Sequence, residues 1–254
     1  MDIGSDPAER RPSLLYFEKA QCASLGTVNR PAFTEQQREL LEELLRAGAV
    51  LIGDVVRERF GLNSPIYFDL RETLYNRPEL LWSVAREFVE RICELARPNP
   101  VPQCVAGIPD TATPLALATA LYAWQERASP EICYALLRKE GKSYPGMPPS
   151  YWIGKKDTSC EYNLIDDVLA SGLTKRAAAE RMRREGLPVT RILVLFDRDQ
   201  GDGLRSEGFQ VHGIFPVPAL LDFYLERKLI HSADHARIRR FLETRRFDVA
   251  PAKQ

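Results

Sequence analysis

The stretch that most constrains this chain is Tyr162-Asn163-Leu164-Ile165-Asp166-Asp167-Val168-Leu169-Ala170-Ser171-Gly172-Leu173-Thr174. An apolar run ends in two adjacent carboxylates, passes through a loop of small residues and enters Lys175-Arg176-Ala177-Ala178-Ala179, which reads as a helix. Apolar run, turn and helix in that order predict a buried parallel strand whose C-terminal edge carries chemistry. A small-residue loop that opens a helix leaves backbone N–H groups free to hold a phosphate. The aspartates beside it suit hydroxyl groups or a Mg²⁺-bound ligand better than the phosphate itself. A phosphorylated sugar satisfies both halves. Taken alone, an Asp-Asp pair at a strand end is common surface chemistry, so the rest of the chain decides. No G-x-G-x-x-G or G-x-x-x-x-G-K-[ST] pattern accompanies it.

Strands and helices alternate along the chain. Thr34 is an expected N-cap, with Gln37 completing a capping box and Leu40, Leu41, Leu44 and Leu45 forming one apolar stripe. Residues 49–52 and 65–71 read as strands, and Pro78 introduces a helix through Ala96. Next come a buried strand at 103–108, a helix at about 112–127, a strand at 132–137 and a loop rich in Gly, Pro and Lys at about 140–150. The Asp-Asp strand, a helix at 174–186, strands at 191–196 and 209–215, and helices at about 217–228 and 232–244 complete the series. Repeated βα units predict an α/β fold, a parallel twisted sheet with helices on both faces. Residues 1–33, with Pro7, Pro12, Gly26 and Pro31 and no sustained period, read as an irregular extension, and 34–254 as the domain.

The chain has 254 residues, enough for one large domain or a domain with an appendage. Lys+Arg and Asp+Glu are both 35, and the zero net charge argues against a general nucleic-acid binder. Five scattered cysteines without a C-x-x-C read as reduced thiols of a cytoplasmic protein. Three histidines make a zinc site a poor expectation, and the His231/His235 spacing reads as a solvated helix face. Met1 to Arg11 has no apolar core, so no secretory signal is expected, and no apolar run reaches membrane-spanning length.

Ligands of such sheets bind beyond the C-terminal strand edges. There lie Pro109-Asp110-Thr111-Ala112-Thr113-Pro114, Arg138-Lys139-Glu140-Gly141-Lys142-Ser143-Tyr144, the two aspartates, and Asp197-Arg198-Asp199-Gln200-Gly201. Four strand ends thus gather dense cations, two carboxylates and a phosphate-type loop.

With these segments the chain resembles the orotate phosphoribosyltransferases, particularly the form fused to a decarboxylase in animals. The resemblance also rests on Gly61-Leu62-Asn63-Ser64-Pro65-Ile66-Tyr67-Phe68-Asp69-Leu70-Arg71 and on Gly107-Ile108-Pro109 through Pro114-Leu115-Ala116, and it spans about residues 34 to 245. It implies transfer of phosphoribose from phosphoribosyl pyrophosphate to a ring nitrogen of orotate, with Mg²⁺, in pyrimidine nucleotide biosynthesis. The bond from ribose C1 breaks with positive charge on the sugar and negative charge on the leaving group, so catalysis is mostly electrostatic and positional. Catalytic roles fall on Lys142, Asp166 and Asp167. Lys142, Lys139 and Arg138 would neutralise pyrophosphate from a loop that closes over the site, and the aspartates would hold ribose hydroxyls while Mg²⁺ bridges sugar and pyrophosphate. Arg198 would pair with the orotate carboxylate. Tyr67, Phe68 and Arg59 would line the base; Asp110, Thr111, Tyr144, Ala170, Ser171, Gly172 and Thr174 complete the substrate-binding positions. The mobile loop of the family reaches a neighbouring subunit's site, which implies a homodimer.

The chain departs from the family pattern within the site. Ala170 and Leu173 stand where the family has hydroxyls, and Asp110 stands where it has a tyrosine. Each lost hydrogen bond to a charged phosphate costs roughly 1.5–3 kcal/mol, and a carboxylate facing a polyanion costs about 1 kcal/mol or more. Two functions follow as expectations: a working transferase on orotate or a related acidic ring, or an impaired relative serving as a nucleotide-sensing or partner-binding subunit.

Overall fold

Thr34 and Gln37 close the expected capping box at the start of α1 (Glu35–Arg46). The Gln37 N–H donates to Thr34 Oγ1 at 3.2 Å and the Thr34 N–H to Gln37 Oε1 at 3.1 Å. A computed structural model describes residues 33–98, 100–170 and 172–244, with no side chain given for Tyr144. The extension through residue 32 therefore lies outside the described residues. Phe33 is the first described residue; it is buried, edge-on to Phe215 and Phe223.

After α1 come β1 (Val50–Ile52), α2 (Asp54–Phe60), β2 (Ile66–Phe68), α3 (Leu70–Thr73) and α4 (Pro78–Ala96). β1 and β2 form an antiparallel pair. The strand expected at 65–71 stops at Phe68, because Leu70 and Thr73 turn inward as the buried residues of α3.

The central sheet uses β3 (Gln103–Gly107), β4 (Ile132–Tyr134), β7 (Glu161–Leu169), β8 (Val189–Asp197) and β9 (Gln210–Pro216). α5 (Thr113–Gln125) joins β3 to β4, and the β5 (Leu136–Tyr144) and β6 (Met147–Ile153) hairpin leads into β7. α6 (Leu173–Arg184) and α7 (Asp202–Ser206) flank β8, and α8 (Val217–Glu226) and α9 (Ser232–Thr244) follow β9. The strand order is β4-β3-β7-β8-β9 and every pairing in it is parallel. The chain leaves β3 toward β4, then returns to lay β7 on the opposite side. The order therefore reverses between β3 and β7, the position where open α/β sheets bind ligands.

Alternation along the strands divides the core. Val105, Ile165, Leu193 and Leu195 join one cluster with the apolar faces of α1, α4, α5 and α8. Cys104, Ala106, Leu164, Ile192 and Val194 join the other with Ala178, Ala179 and Met182 of α6. Helices on both faces, the sequence expectation, follow from this two-sided burial.

The expected strand at 132–137 and loop at 140–150 are corrected. β4 ends at Tyr134, and Leu136 begins an antiparallel hairpin that takes in the whole Gly/Pro/Lys stretch. Tyr144 pairs with Met147 across Pro145-Gly146, and Gly146 takes φ 79°. Proline followed by a left-handed glycine is a turn signal, not merely a helix breaker.

Leu41 is fully buried whereas Leu117 is 43% exposed. Leu41→Ala is expected to cost about 2–5 kcal/mol in chemical denaturation, and Leu117→Ala to stay within about 0.5 kcal/mol. A Cβ on Gly107 would lie 2.0 Å from the Ala112 carbonyl oxygen. Gly107→Ala is therefore expected to destabilise by about 1–3 kcal/mol through backbone displacement at the end of β3.

Candidate active site

β7 places both aspartates at the strand-order reversal, since Gly107 pairs with Ile165 and the Ile108 N–H donates to the Ile165 carbonyl at 2.9 Å. Their environments differ. Asp166 is buried and forms an ion pair with Lys175, itself buried in the first turn of α6. Lys175 Nζ also donates to the Val168 carbonyl at 2.5 Å. Burial pushes the Asp166 carboxyl above the usual carboxylate range, while Lys175 pulls against it. Asp167 is half-buried, and its Oδ1 accepts the Val168 N–H at 2.8 Å.

Around Asp167 stand Arg198 and Tyr75. Burial pushes the Tyr75 phenol up to about 12, with the Asp167 charge adding to it and Arg71 opposing. The Arg198 guanidinium lies 5.5 Å from the Phe68 ring centroid, and Phe68 stacks on Phe196 at 4.3 Å. Arg198 Nε is buried and has no hydrogen-bond partner among the described residues. Burial lowers the pKa of Arg198, against the opposite pull of Asp167 and Tyr67. Tyr67 packs on Phe60 with centroids 4.3 Å apart. Arg198 is thus set beside Phe68, with Asp167 and Tyr67 close enough to act on its charge.

A second group forms at the turn after β3. Arg71 Nε donates to Thr111 Oγ1 at 2.8 Å, tying α3 to the turn. Lys139 Nζ lies 3.6 Å from Asp110 Oδ2, with both side chains largely exposed. Asp110, expected as a carboxylate facing a polyanion, has a cation beside it. The exposure also keeps this pair weak and exchangeable.

Arg138 and Arg59 bond to groups other than the two aspartates. Arg138 Nη1 donates to the Ser150 carbonyl at 3.3 Å across the hairpin, and Lys142 is exposed on β5 in register with Ser150. Arg59 pairs with Glu72 at 2.6 Å and Asp69 at 3.2 Å.

In the loop, Ser171 lies outside the described residues, as does the Tyr144 side chain. Gly172 is the N-cap of α6 in the left-handed region, with φ 74°, and offers no side-chain cap. Leu173 is 52% exposed at the first helical position, and Thr174 is exposed beside it. The first-turn N–H groups of α6 are the kind of donors that hold anions.

Lys175, Arg71 and Tyr75 were not expected as site residues. Lys175 carried a signal: a cation in the first helical turn opposes the helix dipole and calls for a compensating anion. Among the described residues no group of three or more His, Cys, Asp or Glu side chains is placed to hold a metal ion.

No protein-family model matches the chain. Bovine uridine 5'-monophosphate synthase is 33% identical over 192 residues, 75% of this chain and 37% of that protein. The orotate phosphoribosyltransferase of Thermoplasma acidophilum is 32% identical over 186 residues, 72% of this chain and 97% of that protein. The Leishmania donovani UMP synthase structure superposes with a TM-score of 0.64 at 29% identity, covering 82% of this chain and 42% of the other. The Aeropyrum pernix orotate phosphoribosyltransferase gives 0.51 at 25% identity, covering 72% and 97%. This chain spans less than half of either synthase but the corresponding length of the single-activity enzymes. With that coverage at 32% identity, and with the two aspartates at the reversal of a parallel sheet, the chain belongs to the orotate phosphoribosyltransferase family.

Proposed function

We propose that this protein transfers phosphoribose from phosphoribosyl pyrophosphate to orotate or a related acidic ring, with release of pyrophosphate, in pyrimidine nucleotide biosynthesis. The observation that carries this reading is the buried Nε of Arg198, which has no partner among the described residues, on a guanidinium set against Phe68 beside Asp167. A buried donor without an acceptor is costly, and the carboxylate of a planar acidic ring supplies the acceptor while the aromatic supplies a face for the ring.

In the transfer, the bond between ribose C1 and the pyrophosphate oxygen breaks and a bond from C1 to the ring nitrogen forms. Asp167 meets the ribose hydroxyls, and the N-terminal turn of α6 receives the 5'-phosphate through backbone N–H groups. Lys139, Arg138 and Lys142 face the charge that develops on pyrophosphate. Mg²⁺ would enter with the bound phosphoribosyl pyrophosphate, as the resemblance implies. When bound, the ion supplies charge neutralisation of the leaving group. The hairpin acts on the site of a second copy in a homodimer, the arrangement that the resemblance implies. A cytoplasmic location is part of the same reading, supported by the free thiols of Cys93, Cys104, Cys133 and Cys160. No helix among the described residues is long and apolar enough to cross a membrane.

The exposed apolar side chain of Leu173 at the phosphate loop favours a second reading, a nucleotide-binding subunit without turnover. Pyrophosphate release from phosphoribosyl pyrophosphate, Mg²⁺ and orotate separates the two: turnover is expected, and tight binding without release would favour the second.

Two variants sharpen the test. Arg198→Ala is expected to lower kcat/KM for orotate about 10–100-fold, the loss of one charge-assisted contact of roughly 1.5–3 kcal/mol; an unchanged value would remove Arg198 from the acceptor site. Ala170→Thr with Leu173→Ser restores hydroxyls to the loop. Leu173 does not pack under the helix, so the melting temperature is expected to hold, with phosphoribosyl pyrophosphate binding tighter by about 1–3 kcal/mol.

A further inference from the structure

We propose that Lys175 is a positioning residue that holds Asp166 as a buried ion pair and clamps the turn between β7 and α6, leaving Asp167 as the carboxylate presented to the sugar. The bonding pattern carries this. Nζ meets Asp166 Oδ2 and donates to the Val168 carbonyl at 2.5 Å, so one ammonium joins the first turn of the helix to two points on the preceding strand. Lys175 and Asp166 are each 5% exposed. A buried ammonium requires a counterion, and a buried carboxylate requires one equally. The lysine also sits where the helix dipole disfavours a cation. Its position is therefore sustained by the aspartate.

The consequence for the site is a division of roles. Two adjacent carboxylates facing one sugar would repel each other. Lys175 reduces their combined charge by one unit and fixes Asp166 in place. The half-buried Asp167 stays accessible next to Arg198 and Tyr75. The groups that face Asp166 are Lys175 on α6, Asp167 on its own strand and Tyr75 ahead of α4, the last with Arg71 beside it. The ligand half of the proposal rests on the phosphoribosyl reading above; the ion-pair half does not.

The test uses the full chain with Lys175→Met and Lys175→Arg. Melting is followed between about pH 5 and 8, and phosphoribosyl pyrophosphate with Mg²⁺ is titrated by calorimetry over the same range. In Lys175→Met the Asp166 carboxylate is buried without a counterion, so its folded-state pKa rises further above the unfolded value than in the wild type. Destabilisation relative to wild type is then greatest at pH 8 and shrinks as the pH falls and the carboxyl takes a proton. The same variant is expected to bind the sugar phosphate at least about tenfold more weakly at pH 8, with the acid limb of binding moved up by about one pH unit. Lys175→Arg is expected to recover most of both effects.

A melting difference independent of pH would overturn the ion pair as the source of the effect. The expected melting profile with superimposable binding curves would overturn the positioning role. If wild type binds no phosphoribosyl pyrophosphate at any pH, the ligand half falls with the reading it rests on, and melting alone decides the pair.

Discussion

The parallel pairing of β3 with β7 is the constraint on which the rest of the structure depends. It runs from Gln103↔Glu161 to Gly107↔Ile165 and sets two strand ends level at the reversal of strand order. From one end issues the turn with Asp110 and Thr111; the other carries Asp166 and Asp167. Gly107 permits this closeness, because any Cβ there would strike the Ala112 backbone. Burial on both faces then holds the register, since a one-residue slip would exchange the two core clusters.

Several charges around the site are matched by a counter-charge. Asp166 is matched by Lys175, Asp110 by Lys139, and Arg59 by Asp69 and Glu72. Arg198 has aromatic and long-range electrostatic neighbours, yet its Nε lacks an acceptor among the described residues. A site organised this way is prepared for an anion at one specific point, while its exposed pairs can exchange partners when a polyanion arrives.

Much of this was legible in the chain because local rules and tertiary demands agreed. Thr34 with Gln37, Pro78 at the first position of α4, and the apolar run before Asp166 each signal one outcome, and the structure follows them. Arg198 was legible at a strand end and Phe68 through the family resemblance; their contact was not, because Phe68 ends β2 and Arg198 follows β8, strands of different sheets. Proline and glycine at 145 and 146 suggested a loop, yet they turn a hairpin whose strands extend through neighbouring residues of weak strand character. Lys175 resembled any surface lysine of a charged helix. Its partner is nine positions back along the chain, and only the closing of the β7–α6 turn brings the charges together.

The central claim is that the β3–β7 edge recognises a sugar phosphate through Asp167 and the start of α6. Calorimetric titration of phosphoribosyl pyrophosphate with Mg²⁺ into the wild-type chain and Asp167→Asn tests it most directly. The account predicts saturable one-site binding to wild type and a loss of at least about tenfold in the variant, the order expected when a charged hydrogen-bonding partner is removed. Equal affinities for the two proteins, with both folded, would contradict it.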